Sequence, residues 1–308
     1  MTVPVLALAA CGDDDGEEVR ETSPTGTAAS EPASGDASAS GSGSASGSAI
    51  EEAAQGAGTD DPLLLEAVAG YRSYLEGEVD ELVSDAKRFT DAVRAGDIDE
   101  AKVQYPRSRV SWERIEPAAS LVEELDGKLD SRVDDFTGPD DPAWTGWHRI
   151  EYDLWEQEEI TDETEALADQ LDADLATLQA EVPELPIPAA VVAVGASELI
   201  EEASVGKLTG EEDRYSKTDL WSIAANVEGS LEAFELLEPA LAEAGADALV
   251  ADIEAQFDRA GELLEAYEEG DGYQPFDAVT DEDLDRMKAT LAPLSELLSQ
   301  VAGELGLA

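Results

Sequence analysis

Residues 63–95 read LLLEAVAGYRSYLEGEVDELVSDAKRFTDAVRA, and this stretch sets the fold class. Its large apolar residues recur every three or four positions and charged residues fill the positions between them, which is the pattern of a helix with one buried face. Gly96 and Asp97 interrupt the pattern and predict the end of this helix. The apolar stripe consists of Leu64, Val68, Tyr71, Leu75, Val79, Leu82 and Phe89.

The same helical spacing continues to the end of the chain, and runs of alternating β-branched residues are nearly absent. The stretch VPELPIP at residues 182–188 holds three prolines, so we expect it to be non-helical and to connect two halves. We therefore predict an all-α fold with two four-helix bundles at 62–182 and 183–308. The further helices are predicted near residues 97–117 (ending before Pro117 or bending through it), 117–129, 144–156, 161–180, 189–208, 217–245, 246–270 and 281–303.

Each half carries a Glu-Pro pair inside a helix that contains an aromatic residue. The two segments are WERIEP at residues 112–117 and FELLEP at residues 234–239. This weak internal similarity favours an ancient duplication and supports the two-bundle prediction.

The charge of the chain excludes several classes of protein. It has 73 acidic and 18 basic residues, a formal net charge of −55, one Cys and one His. A nucleic-acid-binding protein needs a basic surface, which this chain lacks in its sequence. A single Cys excludes an intramolecular disulfide and Cys-rich metal sites. We expect most of the acidic residues to form a solvated surface, while a minority could be metal ligands.

The first eleven residues, MTVPVLALAAC, resemble the end of a bacterial lipoprotein signal, in which small residues precede a lipidated Cys. Cys11 is the predicted lipidation site. The apolar segment is shorter than a normal signal, so we expect a truncated leader. The prediction is an extracytoplasmic protein with a lipid anchor in the cell membrane, and the alternative is a cytoplasmic protein in which the AAC sequence is accidental.

Residues 12–61 are rich in Gly, Ser, Ala, Thr, Pro and acidic residues, as in GSGSASGSA at 41–49. Such a segment has too few apolar side chains to offset its ordering entropy. We predict a disordered tether with a typical reach of about 40 Å, which holds the folded part near the membrane.

Two pairs of side chains could bind a metal ion. His148 and Glu151 are three residues apart, and Glu113 and Glu116 repeat this spacing, so each pair lies on one face of its helix. Four of the five tryptophans flank these pairs, which indicates helix segments that face the core. Buried carboxylates need a cation or a proton. The alternative to a metal is a structural network of ion pairs in which Arg109, Arg114 and Arg149 are the cations.

Longer motifs resemble the imelysin-like family (peptidase M75), in particular its EfeO-type iron uptake lipoproteins. The resemblance spans roughly residues 62–305, and it implies an all-α fold of two four-helix bundles with a metal site around HxxE. It also implies delivery of iron to an EfeU-type permease, with an EfeB-type haem peroxidase as a further partner. The motifs are ELV at 81–83, AGD at 95–97, WERIEP at 112–117, WTGWHRIE at 144–151, KLTGEEDRYS at 207–216, TDLW at 218–221 and ANVEG at 225–229.

The resemblance implies a set of ligands. These are His148, Glu151, Glu113, Glu116, Asp130 in LDSR, and Glu202 from the second half. Val133 and Lys217 depart from the family pattern, so a second metal site that uses either position is not expected. Residues 12–61 cannot form the cupredoxin-like domain of some relatives, which makes this chain similar to the short form.

Imidazole and carboxylate ligands suit iron, manganese or zinc over copper(I), and the ligand types do not choose among the three. The resemblance implies iron, with zinc or manganese as alternatives. Since a metal needs a neutral His148, we expect release below about pH 6, near the ordinary pKa of His. We predict an iron-binding lipoprotein and not an enzyme. The two alternatives are a metallopeptidase, which the family label suggests, and a cell-surface module that binds polysaccharide or protein.

Overall fold

A computed structural model of the chain describes residue 53 and residues 58–307. The predicted signal with Cys11, and residues 12–52 and 54–57 of the predicted tether, lie outside the described residues. Within them the fold is all-α apart from one hairpin of two-residue strands, which confirms the predicted fold class.

Helix α1 illustrates how the sequence pattern becomes structure. The carboxylate of Asp61 accepts hydrogen bonds from the backbone N–H of Leu63 and of Leu64, so it caps the first turn. Pro62 occupies the start of the helix, where no backbone donor is needed. The predicted apolar stripe is buried, apart from Val68, which is partly buried.

Ten α-helices and two strands lie in residues 58–307. They are α1 (Pro62–Arg94), α2 (Ile98–Ala119), α3 (Glu123–Leu129), α4 (Gly146–Tyr152), α5 (Asp162–Glu181), α6 (Ala189–Glu201), α7 (Asp219–Ala244), α8 (Asp247–Glu265), β1 (Glu268–Glu269), β2 (Gly272–Tyr273), α9 (Asp281–Leu298) and α10 (Val301–Glu304). Turns of π-helix extend α4 at Asp153–Gln157 and α6 at Glu202–Gly206.

Three predicted boundaries were wrong in detail. Pro183 stands in the first turn of a short 3-10 helix, Val182–Glu184, because proline is tolerated where no donor is needed; the stretch 182–188 is therefore not entirely non-helical. The helix predicted at 117–129 forms only from Glu123, because α2 continues through Pro117, which was one of the two outcomes predicted for α2. The helix predicted to reach residue 270 ends at Glu265, where the β1–β2 hairpin follows.

The helices of both sequence halves share one continuous hydrophobic core. Helix α1 packs against α2 and α5, and α7 packs against α6 and α8, while α9 lies on α6 and α8. Helices α2 and α7 join the halves at Gly229, where an added Cβ would lie 2.1 Å from the carbonyl oxygen of Arg114. The division into bundles at residue 182 stays a prediction. Of the described helices, none combines the length and the apolar character needed to cross a membrane.

Candidate metal centre

The backbone at the start of α4 determines where His148 lies. Gly146 has φ of +79°, and an added Cβ there would lie 2.1 Å from the carbonyl oxygen of Leu129, at the end of α3. The hydroxyl of Thr145 donates a hydrogen bond to the carbonyl of Lys128 at 2.8 Å. The start of α4 is thus docked directly on the end of α3, which brings His148 next to the residue that follows α3, Asp130.

His148 is buried and has acidic neighbours on both sides of its ring. Its Nδ1 lies 3.1 Å from Oε2 of Glu151 and 3.3 Å from the hydroxyl of Tyr105. Its Nε2 lies 3.5 Å from Oδ1 of Asp130 and 3.7 Å from Oε1 of Glu212. Nε2 makes no hydrogen bond to any described residue. This nitrogen therefore faces two carboxylates at a distance longer than a hydrogen bond.

These carboxylates change the protonation of the imidazole. Burial and the charge of Arg109 oppose a proton on His148, but Glu151, Glu212 and Asp130 outweigh them and raise its pKa to about 10. The ring is consequently cationic at neutral pH. A metal ion that binds Nε2 must displace this proton.

The loop between residues 210 and 218 supplies two more acidic side chains. Glu151 holds this loop, because its Oε1 accepts hydrogen bonds from the backbone N–H of Tyr215 at 3.0 Å and of Ser216 at 2.7 Å. Asp213 accepts a hydrogen bond from the hydroxyl of Ser222 at 3.0 Å. The loop is thereby fixed between α4 and the first turn of α7, and this position places Glu212 next to His148.

Two sets of three ligand atoms have the spacing that a metal ion needs. In the first, atoms of Asp130, His148 and Glu212 all lie within 4.8 Å of one another, and in the second the same holds for His148, Glu151 and Asp213. We call these five residues the His148 group.

A second buried set of charges lies next to the first. The ammonium of Lys207 is fully buried, contacts Glu113 and lies 3.0 Å from Oε2 of Glu116. The amide of Asn226 also donates to Glu116, at 3.2 Å. We call Lys207, Glu113 and Glu116 the Lys207 group. Burial opposes the charge on Lys207, but these carboxylates raise its pKa well above the ordinary range, so it is a permanent cation.

Arg109 and Glu212 connect the two groups. The buried guanidinium of Arg109 donates hydrogen bonds to Glu113 and to Asp130, and to Oε1 of Glu212 at 2.9 Å. The same Oε1 lies 3.6 Å from Nζ of Lys207. A change of charge in one group should therefore affect the other, because Arg109 contacts carboxylates of both groups and Glu212 lies near Lys207.

The structure divides the six predicted ligands. His148, Glu151 and Asp130 come together in the His148 group, whereas Glu113 and Glu116 contact Lys207 and not the imidazole. Glu202 stands in the π-turn after α6. Burial raises its pKa, which the charge of Lys207 partly offsets, so it belongs electrostatically with the Lys207 group.

Sequence reasoning missed Glu212, Asp213 and Lys207 as members of the centre. All three lie in the motif KLTGEEDRYS, but the sequence analysis assigned no role to its acids. For Glu212 and Asp213, the signal that could have found them is the run of three acids between Gly210 and the start of a helix. Arg109, one of the cations proposed for a structural network, does pair with buried acids, namely Glu113, Asp130 and Glu212.

A narrow cavity of about 10 Å³ opens beside the imidazole, with His148, Glu151, Glu212 and Arg132 among the residues that line it. This volume is close to the space that one water molecule needs. Arg214 also lines the cavity and is held by Asp134 and Glu211. Two arginine side chains thus stand beside the imidazole in this cavity.

Comparison with known proteins identifies a family model and several relatives that match this chain. The family model described as imelysin (peptidase M75) matches residues 67–301, which include both groups. The iron uptake system component EfeO of Escherichia coli (strain K12) is 42% identical over 259 residues, which cover 83% of this chain and 68% of that protein. EfeO of Shigella flexneri and EfeO of Escherichia coli O157:H7 match with the same identity and coverage.

Proposed function

The chain belongs to the imelysin family, and we propose that it is an iron-binding component of an iron uptake system. The name of the EfeO relatives supports the iron uptake role. The observation that carries the proposal is the buried Nε2 of His148, which makes no hydrogen bond to the described residues and faces the carboxylates of Asp130 and Glu212.

We assign the metal to the Nε2 side of His148, with Asp130 and Glu212 as its carboxylate ligands. Burial opposes ionisation of Glu212, but the surrounding cations hold its pKa well below the usual range, and the pKa of Asp130 is lowered in the same way. On the other side, burial raises the pKa of Asp213 to about 6. Ionised carboxylates are the better ligands for a hard or borderline cation.

Glu151 has a different role in this assignment, because its two oxygens already have partners. Oε1 accepts two backbone hydrogen bonds, and Oε2 faces Nδ1 of His148. An acceptor at Nδ1 keeps that nitrogen protonated and directs Nε2 toward the metal, which is how carboxylates support histidine ligands in many metal sites. The HxxE motif then supplies one ligand and the residue that orients it.

Arg109 and Lys207 restrict which ions can bind. Asp130 and Glu212 are held by Arg109, so an incoming ion must compete with a guanidinium for the same oxygens. A small ion of high charge competes best, because the interaction energy grows with charge and falls with distance. This arrangement favours divalent and trivalent metals over monovalent ions.

The experiment is a titration of the metal-depleted chain with iron(II), iron(III), zinc and manganese, in the native sequence and in two variants. His148→Ala and Glu212→Gln should each weaken iron binding by about 100-fold or more, since each removes a proposed ligand. Glu124→Gln is the matched control, because Glu124 is exposed on α3, pairs with Lys128 and does not line the cavity beside the imidazole. Equal affinities in all four proteins would overturn the proposal.

We further propose that the chain acts outside the cytoplasm, anchored through Cys11, and passes iron to an EfeU-type permease with an EfeB-type peroxidase as partner. This proposal rests on the family resemblance and the first eleven residues. Cys11→Ser should release the protein from the membrane fraction, which fractionation measures. The names of the relatives also favour a binding role over an enzymatic one, and peptidase belongs to the name of the family.

A further inference from the structure

A groove lies on the side of α2 that faces away from the metal centre. Successive residues turn by about 100° around an α-helix. Arg107 and Arg114 therefore share one face of α2, whereas Arg109 and Glu113 lie on the other. The groove has a volume of about 460 Å³, and Trp221 of α7 forms part of its wall.

This groove holds a positive charge that no described carboxylate offsets. Three arginines line it, and two of them have acidic partners: Arg88 pairs with Asp85, and Arg114 pairs with Glu78 and Glu228. Arg107 is the third. The chain as a whole has four acidic residues for every basic one, with a net charge of −55. An anion that binds Arg107 is held against the strongly repulsive charge of the chain, so local contacts must supply the binding energy.

Arg107 is the part of this groove that the fold does not use. No hydrogen bond or ion pair engages its guanidinium within the described residues. It lies instead over the ring of Trp221, with Cζ 5.8 Å from the ring centroid. Arg114 is held by Glu228 at 2.7 Å and by Glu78 at 3.3 Å, which leaves part of its five-donor fork free.

Trp221 is a rigid wall. The β1–β2 hairpin closes against it at Gly272, where an added Cβ would lie 1.7 Å from the indole ring. The ring of Tyr273 meets the indole edge to face, with centroids 5.9 Å apart. The fixed indole plane can contact the carbon skeleton of a ligand, and the free guanidinium donors beside it can bind negatively charged oxygens of the same ligand.

We propose that this groove binds a small polycarboxylate. Its carboxylates pair with Arg107 and the free donors of Arg114 and Arg88, and its carbon skeleton lies on Trp221 and Val110. Guanidinium groups bind carboxylates in a bidentate manner, and they bind phosphate by the same chemistry. The apolar wall favours the carboxylate, because inorganic phosphate has no carbon skeleton to place there. This site is independent of the proposed iron site.

The probe is propane-1,2,3-tricarboxylate, which lacks the hydroxyl group that makes citrate a strong chelator. Calorimetric titration into the metal-depleted whole chain at low ionic strength should show saturable binding with one molecule per chain. Arg107→Ala should weaken it at least tenfold, and Arg107→Lys should weaken it less, since lysine keeps the charge without the fork. Arg286→Ala, which removes an arginine paired with Asp283, should leave it unchanged.

Three results would overturn the proposal. They are the absence of saturable tricarboxylate binding by the native chain, tricarboxylate binding by Arg107→Ala or Arg107→Lys that is as tight as that of the native chain, and binding of inorganic phosphate that is as tight as that of the tricarboxylate. The His148→Ala variant separates this site from the metal centre: unchanged tricarboxylate binding supports the groove, and a loss there would place the ligand at the imidazole instead. Iron titrations that fail while tricarboxylate binding persists would refute the proposed function without affecting the groove.

Discussion

The His148 group and the Lys207 group are both buried sets of carboxylates beside α2, but they are neutralised differently. In the Lys207 group the positive charge is a lysine whose ammonium is fully buried and permanently charged. In the His148 group it is a proton on an imidazole. The imidazole proton can be exchanged for a metal ion, whereas the ammonium of Lys207 keeps its proton because its pKa is raised well above the ordinary range. The comparison teaches that, of two buried acidic clusters, the one whose cation can leave is the better candidate for a metal site.

The largest expected effect comes from removing the permanent cation. Lys207→Met leaves Glu113 and Glu116 without their main charge partner, and we expect a loss of about 3–5 kcal/mol in the free energy of unfolding in the presence of a chelator. Chemical denaturation measures it, and added zinc or manganese should restore part of the loss. Lys87→Met, at an exposed pair with Asp91, is the control. Equal stability of both variants would contradict the role of Lys207.

Isosteric changes in the two groups should separate them in metal affinity. Asp130→Asn should weaken iron binding by about 10- to 100-fold, because it removes a ligand charge next to Nε2. Glu116→Gln should change it by less than about threefold, since Glu116 contacts Lys207 and Asn226. Competition with a coloured chelator measures both. If Glu116→Gln had the larger effect, the metal would belong to the Lys207 group.

The proton on His148 should make iron binding depend on pH. Its pKa of about 10 lies far above the ordinary value of 6.5, so the metal-free ring holds its proton throughout the neutral range. Binding displaces that proton, and the apparent affinity should rise by about tenfold for each pH unit between 6 and 8. The release of the metal on acidification, which the sequence predicted below about pH 6, should therefore begin at a higher pH. An affinity that stays constant over this range would exclude Nε2 as a ligand.

The smallest effect is expected at Asp126, an acid of α3 that belongs to neither group. Burial, followed by the charges of Asp130 and Glu202, raises its pKa to about 7 from the ordinary 3.8. The folded state thus holds this proton more tightly than the unfolded state, so stability falls as pH rises between these two values. Asp126→Asn should remove this loss and raise Tm at pH 7.5 by about 2–4 °C.

Thermal unfolding at pH 4 and at pH 7.5 measures the effect of Asp126→Asn. Glu124→Gln, at a fully exposed position of the same helix, provides the comparison. If Asp126→Asn gains no more stability at pH 7.5 than at pH 4, burial does not raise the pKa of the Asp126 carboxyl.

The helices were predictable from the sequence because their apolar spacing is a local property. The stripe from Leu64 to Phe89 and the stop at Gly96 and Asp97 predicted α1 within a residue of its bounds. His148 and Glu151 could be paired for the same reason, since three-residue spacing on a helix is local. Glu113 and Glu116 had the same spacing, and nothing in it distinguishes a pair that faces an imidazole from one that faces a lysine.

The remaining members of the centre depend on tertiary contacts. Lys207 lies 91 residues after Glu116 and reaches it only because α6 and α7 pack against α2. Glu212 is placed by a loop that Glu151 holds through backbone hydrogen bonds. Periodicity carries no information on such contacts, so the sequence indicated the kinds of ligand but only part of the set.

Gly146 determines the distance between side chains of the candidate metal centre, although it carries no side chain itself. Since a Cβ at this position would collide with the carbonyl of Leu129, any other residue would push α4 away from α3. That shift would widen the gap between Asp130 and the imidazole, which is 3.5 Å. In the proposed metal site, this contact between two backbones would therefore fix the space available to the ion, and a change at Gly146 would alter that space while every ligand is left in place.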